Sequence, residues 1–521
     1  MRRFNVTGTC VKSKHYMVDT SSKIDKIIKL IENESYFTIN RPRQYGKTTT
    51  LSLLRKALSE KYLVLGLSFE GVSDESYIDD EAFIEMLYGQ IKDKLELFAD
   101  ESLITLIDEM KNLDNFNDLN RFITRFVKES DKEVILFIDE CDESTNNDIF
   151  LKFLGVLRKK YLLRTEELDV TFKSVILAGV HDVKNLKYKV RAGETEQTNS
   201  PWNIAENFNV DMSFNEVEVR SLLEDYLSEN PSMMMDVELI ASKVHYFTNG
   251  YPFFVSYLCK MIHEEFEGCD KWSVHNLEQA VNELLLIKTT NFDSLIKNIQ
   301  NHEDLANLVR LILIKGEDVP FGSSAPAMEK GLMYGVLARS MNNKLIIHNP
   351  IYEMKIYSYL MGKMMTDNMS VVKSQPFAKY VNEDGSLDMS LMMEKYSEYL
   401  KALYDDNQDK FIENNARLLF SIFTKTIING TGFMYHEPVI SDRRRLDVMI
   451  TYNHFKYIVE LKIWHGPAYY EDAKQQLADY LEREQLDVGY MVVHDFRKEQ
   501  HRRFTMEELN VKGKILRVHF V

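Results

Sequence analysis

The chain has 521 residues, 45% hydrophobic and 28% charged. It is too long for a single core and has the balance of a globular protein rather than a disordered one, so two to four domains are expected. Its formal net charge of −16 argues against a general polyanion binder but leaves room for a local basic groove. No apolar run approaches the roughly 18 residues that span a bilayer, and Met1-Arg-Arg-Phe-Asn-Val lacks the apolar stretch of a secretory signal. Cys10, Cys141, Cys259 and Cys269 show no metal-ligand spacing. Reduced thiols, no membrane partner and a cytoplasmic location are expected by elimination.

The first predicted elements carry the strongest signal. Tyr36-Phe-Thr-Ile-Asn40 reads as a strand running into Arg41-Pro-Arg-Gln-Tyr-Gly-Lys-Thr48, and Thr49 onward opens a helix. Strand, glycine-lysine-threonine loop and helix are the parts of a P-loop nucleotide site. Residues Arg41, Pro42, Arg43, Gln44, Tyr45, Gly46, Lys47, Thr48 and Thr49 are expected around the phosphates of ATP. The loop N–H groups and the helix N-terminus offer positive potential there. Lys47 would reach the β- and γ-phosphates, and Thr48 would ligate Mg²⁺. Arg41 stands where the usual pattern has a glycine.

Tyr62–Phe69 reads as a strand and Glu81–Leu97 as a helix. Glu133-Val-Ile-Leu-Phe-Ile-Asp-Glu140 follows as a buried parallel strand with carboxylates at its C-terminal end. Asp139 takes the Walker B place in the Mg²⁺ shell, and Glu140 that of the general base that polarises water. Ser174–Gly179 predicts a further strand. His181, Asp182 or Asn185 beyond it are candidates for sensing the γ-phosphate, as the strand after Walker B does in AAA-type ATPases.

From Asn215 to Leu286 the pattern is helical, interrupted at Thr248-Asn-Gly-Tyr-Pro252. Residues 304–361 predict a winged-helix-like module: helices at Leu305–Lys315 and Ala327–Tyr334, then a wing strand at Lys344–His348. Without a concentrated basic helix, it is expected to pack rather than to bind DNA. Val371–Asp388 reads as a linker, and a helical stretch from Leu391 to Phe423 carries Glu413. The resulting division is a P-loop core at 1–210, a helical lid at 211–300, the winged-helix-like module at 301–365, linker and helix at 366–399, and a further α/β domain at 400–521.

That last domain holds a second candidate site. Arg445–Tyr452 and Lys456–Ile463 predict a hairpin turned at Asn453-His454. A two-residue turn sets Asp447 opposite Glu460, and a four-residue turn sets it opposite Lys462. Glu460 and Lys462 share a face in either case. Two carboxylates would hold Mg²⁺, or Mn²⁺ in its place, and so activate water against a phosphodiester, with Lys462 steadying the developing charge. Gln476 and Tyr480 stand four apart on a following helix, and Val488–Val493 predicts another strand. Arg443–Arg445, Arg497-Lys498 and Arg502-Arg503 are candidate phosphate contacts.

Residues 400–521 resemble the PD-(D/E)xK nuclease superfamily in the order helix with Glu413, strand with Asp447, strand with Glu460 and Lys462, helix with Gln476 and Tyr480, strand. The first 360 residues are similar to bacterial AAA-ATPase-like proteins that carry such a domain at their C-terminus. Their phosphate loop has the form Arg41-Pro-Arg-Gln-Tyr-Gly-Lys-Thr48, and His15-Tyr-Met-Val-Asp19 and Ser200-Pro-Trp-Asn203 also match. The resemblance implies a multidomain α/β fold: a parallel-sheet ATPase core with lid and winged-helix-like module, then a restriction-endonuclease-like domain. The leading reading is an ATP-gated, metal-dependent nuclease acting on nucleic acid, DNA ahead of RNA, in defence against foreign nucleic acid, with oligomerisation left open. The rival reading is a signalling or scaffolding ATPase whose nuclease-like domain only binds a partner.

Overall fold

Four runs rich in β-branched and large apolar residues form the first sheet: β1 (Phe37–Asn40), β2 (Leu63–Ser68), β3 (Val134–Asp139) and β4 (Ser174–Gly179). They pair in parallel in the order β1-β4-β3-β2. Both β3 and β4 are buried at every position, which is why they read as unbroken apolar runs rather than alternating ones. In register, Asn40 lies beside Gly179 and Ser68 beside Asp139, so the C-terminal ends of all four strands gather along one edge. The computed structural model describes residues 2–98, 100–109, 114–144, 147–180, 187–189, 197–265, 271–314, 317–322, 325–367, 380–405, 409–428, 432–436, 448–496 and 504–521. The chain divides into two compact units, Met1–Leu284 with Met333–Gly335 and Leu285–Leu332 with Val336–Val521.

In the first unit the helices Asp80–Phe98, Phe116–Glu129 and Asp148–Thr165 share one core with the sheet, built from Leu65, Phe83, Phe122, Ile138, Phe150 and Leu177 among others. Their starts are set locally: Asn115 and Asn147 accept hydrogen bonds from the first-turn N–H groups of their helices. A small hairpin of β5 (Lys187–Lys189) and β6 (Gln197–Asn199) follows. Where the helical pattern of Asn215–Leu286 is expected, the described residues form the helices Glu216–Glu229, Val237–Thr248, Pro252–Glu265 and Val274–Leu286, the last ending at the boundary with the second unit. Asn215 and Glu218 form a capping box at the first of them. The break at 248–252 is a left-handed turn, with φ of 46° at Asn249 and 69° at Gly250.

The second unit begins with helices Thr290–Asn301, Glu303–Leu313 and Pro326–Met333 and an antiparallel sheet in the order β7 (Val319–Pro320), β9 (Lys344–Ile347), β8 (Leu337–Arg339). The helix Pro350–Asp367 follows this sheet. The expected linker does not hold over its described part. Residues 380–388 fold onto the C-terminal hairpin: Tyr380 is fully buried, Leu387 N–H donates to the Tyr457 hydroxyl (2.7 Å), and the Asn453 amide donates to the Gly385 carbonyl (2.8 Å). Asn382-Glu-Asp-Gly385 is turn chemistry, as read, but Tyr380 and Leu387 supply apolar anchors on either side of it. Residues 371–379 lie outside the described ones.

Helices Met389–Asp405, Asp409–Ile428 and Pro467–Arg483 accompany a six-stranded mixed sheet ordered β10 (Gly432–His436), β11 (Val448–Tyr452), β12 (Phe455–Ile463), β13 (Val488–His494), β15 (Lys514–Phe520), β14 (Thr505–Val511). The hairpin register is the two-residue one, with Tyr452 opposite Phe455 and Val448 opposite Val459. Among the described residues no helix is long and apolar enough to cross a membrane.

Candidate functional site

The phosphate loop leaves β1 and closes at Gly46, whose left-handed φ of 78° turns the chain into the helix Lys47–Leu58. Only Gln44 (φ 59°) and Gly46 in the loop need that conformation, so the place taken by Arg41 does not demand glycine. Arg41 is tied into the fold instead. Its N–H donates to the Gly179 carbonyl (3.1 Å), its guanidinium donates to the carbonyls of Asn40 (2.8 Å) and Val210 (2.7 Å), and it lies 5.3 Å from the Phe208 ring. Burial pushes its pKa down.

Lys47 is buried and donates to the carbonyls of Arg41 (3.0 Å) and Pro42 (3.2 Å). Burial lowers the ammonium pKa, opposed by the nearby charges of Glu140, Asp142 and Asp139. The Thr48 hydroxyl donates to Asp139 Oδ2 at 2.8 Å, placing the two expected Mg²⁺ ligands side by side. A hydroxyl and a carboxylate oxygen are donors of the kind Mg²⁺ takes, so the residues present fit the ion. Glu140 follows directly with a left-handed φ of 54° and donates its N–H to Asp139 Oδ1 (3.0 Å). Burial raises the Glu140 carboxyl pKa, with Lys47 pulling the other way.

Lys47, Thr48 and Glu140 line a cavity of about 800 Å³ with Arg43, Gln44, Tyr45, Gly46 and Thr49. Arg41 and Pro42 are not among its lining residues. Its other walls were not assigned to the site from the sequence. They include the N-terminal segment Asn5 to Cys10 with Tyr16 to Val18, the residues Val210, Met212 and Phe214, the lid residues Pro252 and Phe253, and Glu70 beyond β2. The N-terminal segment is pinned to the lid through Arg2 with Asp225 (2.8 Å) and Glu229 (2.7 Å), and to the phosphate-loop helix through Cys10 N–H on Thr49 Oγ1 (3.1 Å). Tyr251 donates its hydroxyl to the Arg43 carbonyl (2.7 Å) and meets Tyr45 edge-on. The lid turn therefore supports the loop from behind. The motif His15–Asp19 and the Gly-Tyr-Pro of the lid were the only sequence signals for these walls. His181, Asp182 and Asn185 lie outside the described residues.

In the second unit, Glu460 is fully buried and its Oε1 lies 2.7 Å from Lys462 Nζ. Through the register of β12 with β13, Glu460 pairs with Met491 and Lys462 with Val493. Gly489 on that same face of β13 abuts Leu477 and Leu481 of the helix Pro467–Arg483, so this helix covers the face that bears Glu460 and Lys462. Gln476 donates to the Tyr480 hydroxyl (2.8 Å) on that helix, and Tyr480 is fully buried. Lys462 Nζ also stands 5.9 Å from the Tyr469 ring. Asp447 and the three basic clusters lie outside the described residues, as does the side chain of Glu413, whose backbone is in the helix Asp409–Ile428. Among the described residues no group of three or more His, Cys, Asp or Glu is gathered as a metal site.

Residues 7–360 match the family described as an AAA-like domain, which is more than half of the chain. The chain belongs to that family, and the match takes in the P-loop of the first unit and runs on into the helices and small sheet at the start of the second. Residues 391–498 match a domain of unknown function, DUF8371. No curated protein matches the chain. Solved structures similar to it include a Thermotoga maritima RuvB variant, at 12% identity and TM-score 0.32, covering 66% of this chain and 95% of that one. The Aeropyrum pernix ORC1 protein in complex with DNA matches at 12% and 0.30, covering 68% and 94%. Drosophila ORC bound to GC-rich DNA and Cdc6 matches at 12% and 0.26, covering 79% and 70%. The sheet order β1-β4-β3-β2 defines the fold of the first unit.

Proposed function

We propose that the first unit binds ATP with Mg²⁺ and hydrolyses it. The observation that carries this reading is Thr48 Oγ1 at 2.8 Å from Asp139 Oδ2, beside the buried ammonium of Lys47 and at the wall of an 800 Å³ cavity. Lys47 and the loop N–H groups bind and orient the phosphates; Thr48 and Asp139 hold the ion. Bound there, Mg²⁺ neutralises charge on the phosphate oxygens. Glu140 accepts the proton of the attacking water. Lys47→Ala tests binding in an ATP titration, and equal affinity in wild type and variant would refute it.

The C-terminal domain is, in the same proposal, a metal-dependent nuclease with Asp447, Glu460 and Lys462 at its centre and Gln476, Tyr480 and Glu413 around it. The buried Glu460–Lys462 pair supports this, since charges sunk in a sheet face cost stability and suit a site better than a scaffold. Glu460 is held by Lys462 at 2.7 Å. Nucleic acid, DNA ahead of RNA, is the substrate proposed. Cleavage of plasmid, linear and single-stranded substrates with Mg²⁺ or Mn²⁺, with and without ATP, tests it. No cleavage under any of these conditions would leave a domain that only binds a partner.

A further inference from the structure

One peptide unit joins the two halves of the nucleotide site. Because β4 lies between β1 and β3, its last peptide, Gly179–Val180, stands between the phosphate loop and the turn after Asp139. On one side the Gly179 carbonyl accepts the Arg41 N–H at 3.1 Å, at the entry to the phosphate loop. On the other side the Val180 N–H donates to both carboxylate oxygens of Asp142, at 2.7 and 2.8 Å. Asp142 sits in the short 3₁₀ turn Cys141–Ser144 that follows Asp139 and Glu140. Gly179 leaves room for that carboxylate: a Cβ there would lie 2.8 Å from Asp142 Oδ1 and 3.2 Å from its Cγ.

We infer that Asp142 is a positioning residue for hydrolysis, clamping the Gly179–Val180 peptide and so fixing the distance between the phosphate loop and the Asp139–Glu140 pair. The inference rests on the reading of the first unit as an ATP-hydrolysing site. An ordinary acidic turn residue would point into water. This one spends both oxygens on a backbone N–H of the neighbouring strand, where the next residues in the chain are His181 and Asp182. A charge-assisted contact of this kind is short and directional. Losing it frees the end of β4 without removing any group that touches phosphate or water. A shift near 1 Å in such a frame lowers turnover by on the order of 100-fold.

The test uses the full chain and four variants. Asp142→Ala removes both acceptors, and Asp142→Asn keeps one amide oxygen for the Val180 N–H. Gly179→Ala drives the carboxylate away from the opposite side of the same contact, and Glu140→Gln removes the base alone. Hydrogen exchange at the Val180 amide, ATP affinity and kcat are read for each. Asp142→Ala and Gly179→Ala should speed Val180 exchange and lower kcat, with ATP affinity within about threefold of wild type, a difference of about 0.65 kcal/mol. Asp142→Asn should restore much of both, whereas Glu140→Gln should abolish turnover with Val180 exchange unchanged. If Val180 stays protected in Asp142→Ala, or Asp142→Asn is as impaired as Asp142→Ala, the clamp is overturned while ATP hydrolysis stands. A wild-type chain that binds ATP without turning it over overturns the hydrolysis reading, and the clamp's role with it.

Discussion

Gly250 is the residue at which a single methyl group should do most damage to the first unit. Its φ is 69°, and a Cβ built there would lie 1.9 Å from the Phe214 carbonyl oxygen and 2.8 Å from the Phe214 nitrogen. The Phe214 N–H also donates to the Gly250 carbonyl at 2.8 Å, so the two backbones are pressed together and bonded. In Gly250→Ala, the left-handed conformation costs about 1 kcal/mol, and the displaced hydrogen bond about another 1. Residual crowding brings the loss to about 2–3 kcal/mol, a fall of about 4–8 °C in the melting temperature of the first unit. Phe214 lines the cavity and Tyr251, the next residue, holds the Arg43 carbonyl, so ATP affinity should fall too, by about tenfold. Calorimetry of the full chain and an ATP titration read both effects. Gly250→Asn separates the causes, because asparagine tolerates the left-handed region but brings the same Cβ. If Gly250→Asn behaves like wild type, or Gly250→Ala melts within a degree of it, the close approach to Phe214 is not what selects glycine.

The other predictions concern charge. Glu140→Gln should keep ATP affinity and lose hydrolysis, since only the proton acceptor is gone. In the wild type the base works ionised and burial raises its pKa, so turnover should fall with decreasing pH at a higher value than an exposed glutamate gives. An acid limb at the usual carboxylate range would refute the burial argument. Lys462→Met leaves the fully buried Glu460 carboxylate without its ammonium neighbour, and the second unit should lose about 3–5 kcal/mol. Adding Glu460→Gln should recover most of that loss; a double variant as unstable as the single one would mean that packing, not charge, was lost. Asp447→Ala and Glu460→Ala should each abolish metal-dependent cleavage, measured on plasmid DNA beside wild type.

What the sequence made legible was local. The phosphate loop, its helix and the Asp139-Glu140 strand end are contiguous patterns, and the hydrogen bond between Thr48 and Asp139 follows from laying those two strand ends along one edge. The hairpin register was open between two turns, and the two-residue turn at Asn453-His454 prevailed, with Asn453 taking the left-handed φ of 52° that asparagine tolerates. The cavity walls were not legible, because Arg2 finds Asp225 and Tyr251 finds Arg43 across more than two hundred residues, and no periodicity records such a pairing. β14 is an edge strand exposed at alternate positions, and its charged residues hide it from an apolar count.

Arg41 shows how local reading and tertiary packing part company. Counting from Gly46, the position invites glycine, and a side chain there reads either as a contact to phosphate or as a lost loop. The backbone needs neither, since the left-handed turns fall at Gln44 and Gly46. The guanidinium turns to the Val210 carbonyl and the Phe208 ring, beside the wall that Val210, Met212 and Phe214 give the cavity. Arg41 therefore ties the loop to the segment that closes the nucleotide in, and its backbone N–H ties the same loop to the Gly179 peptide held by Asp142. Arg41→Gly would restore the common loop spelling and remove the first tie while keeping the second. It should lower ATP affinity through a looser wall rather than through a lost phosphate contact. Mutating Arg41 should then weaken ATP and ADP by the same factor in parallel titrations, because a wall does not distinguish the γ-phosphate; a loss confined to ATP would make Arg41 a phosphate ligand after all.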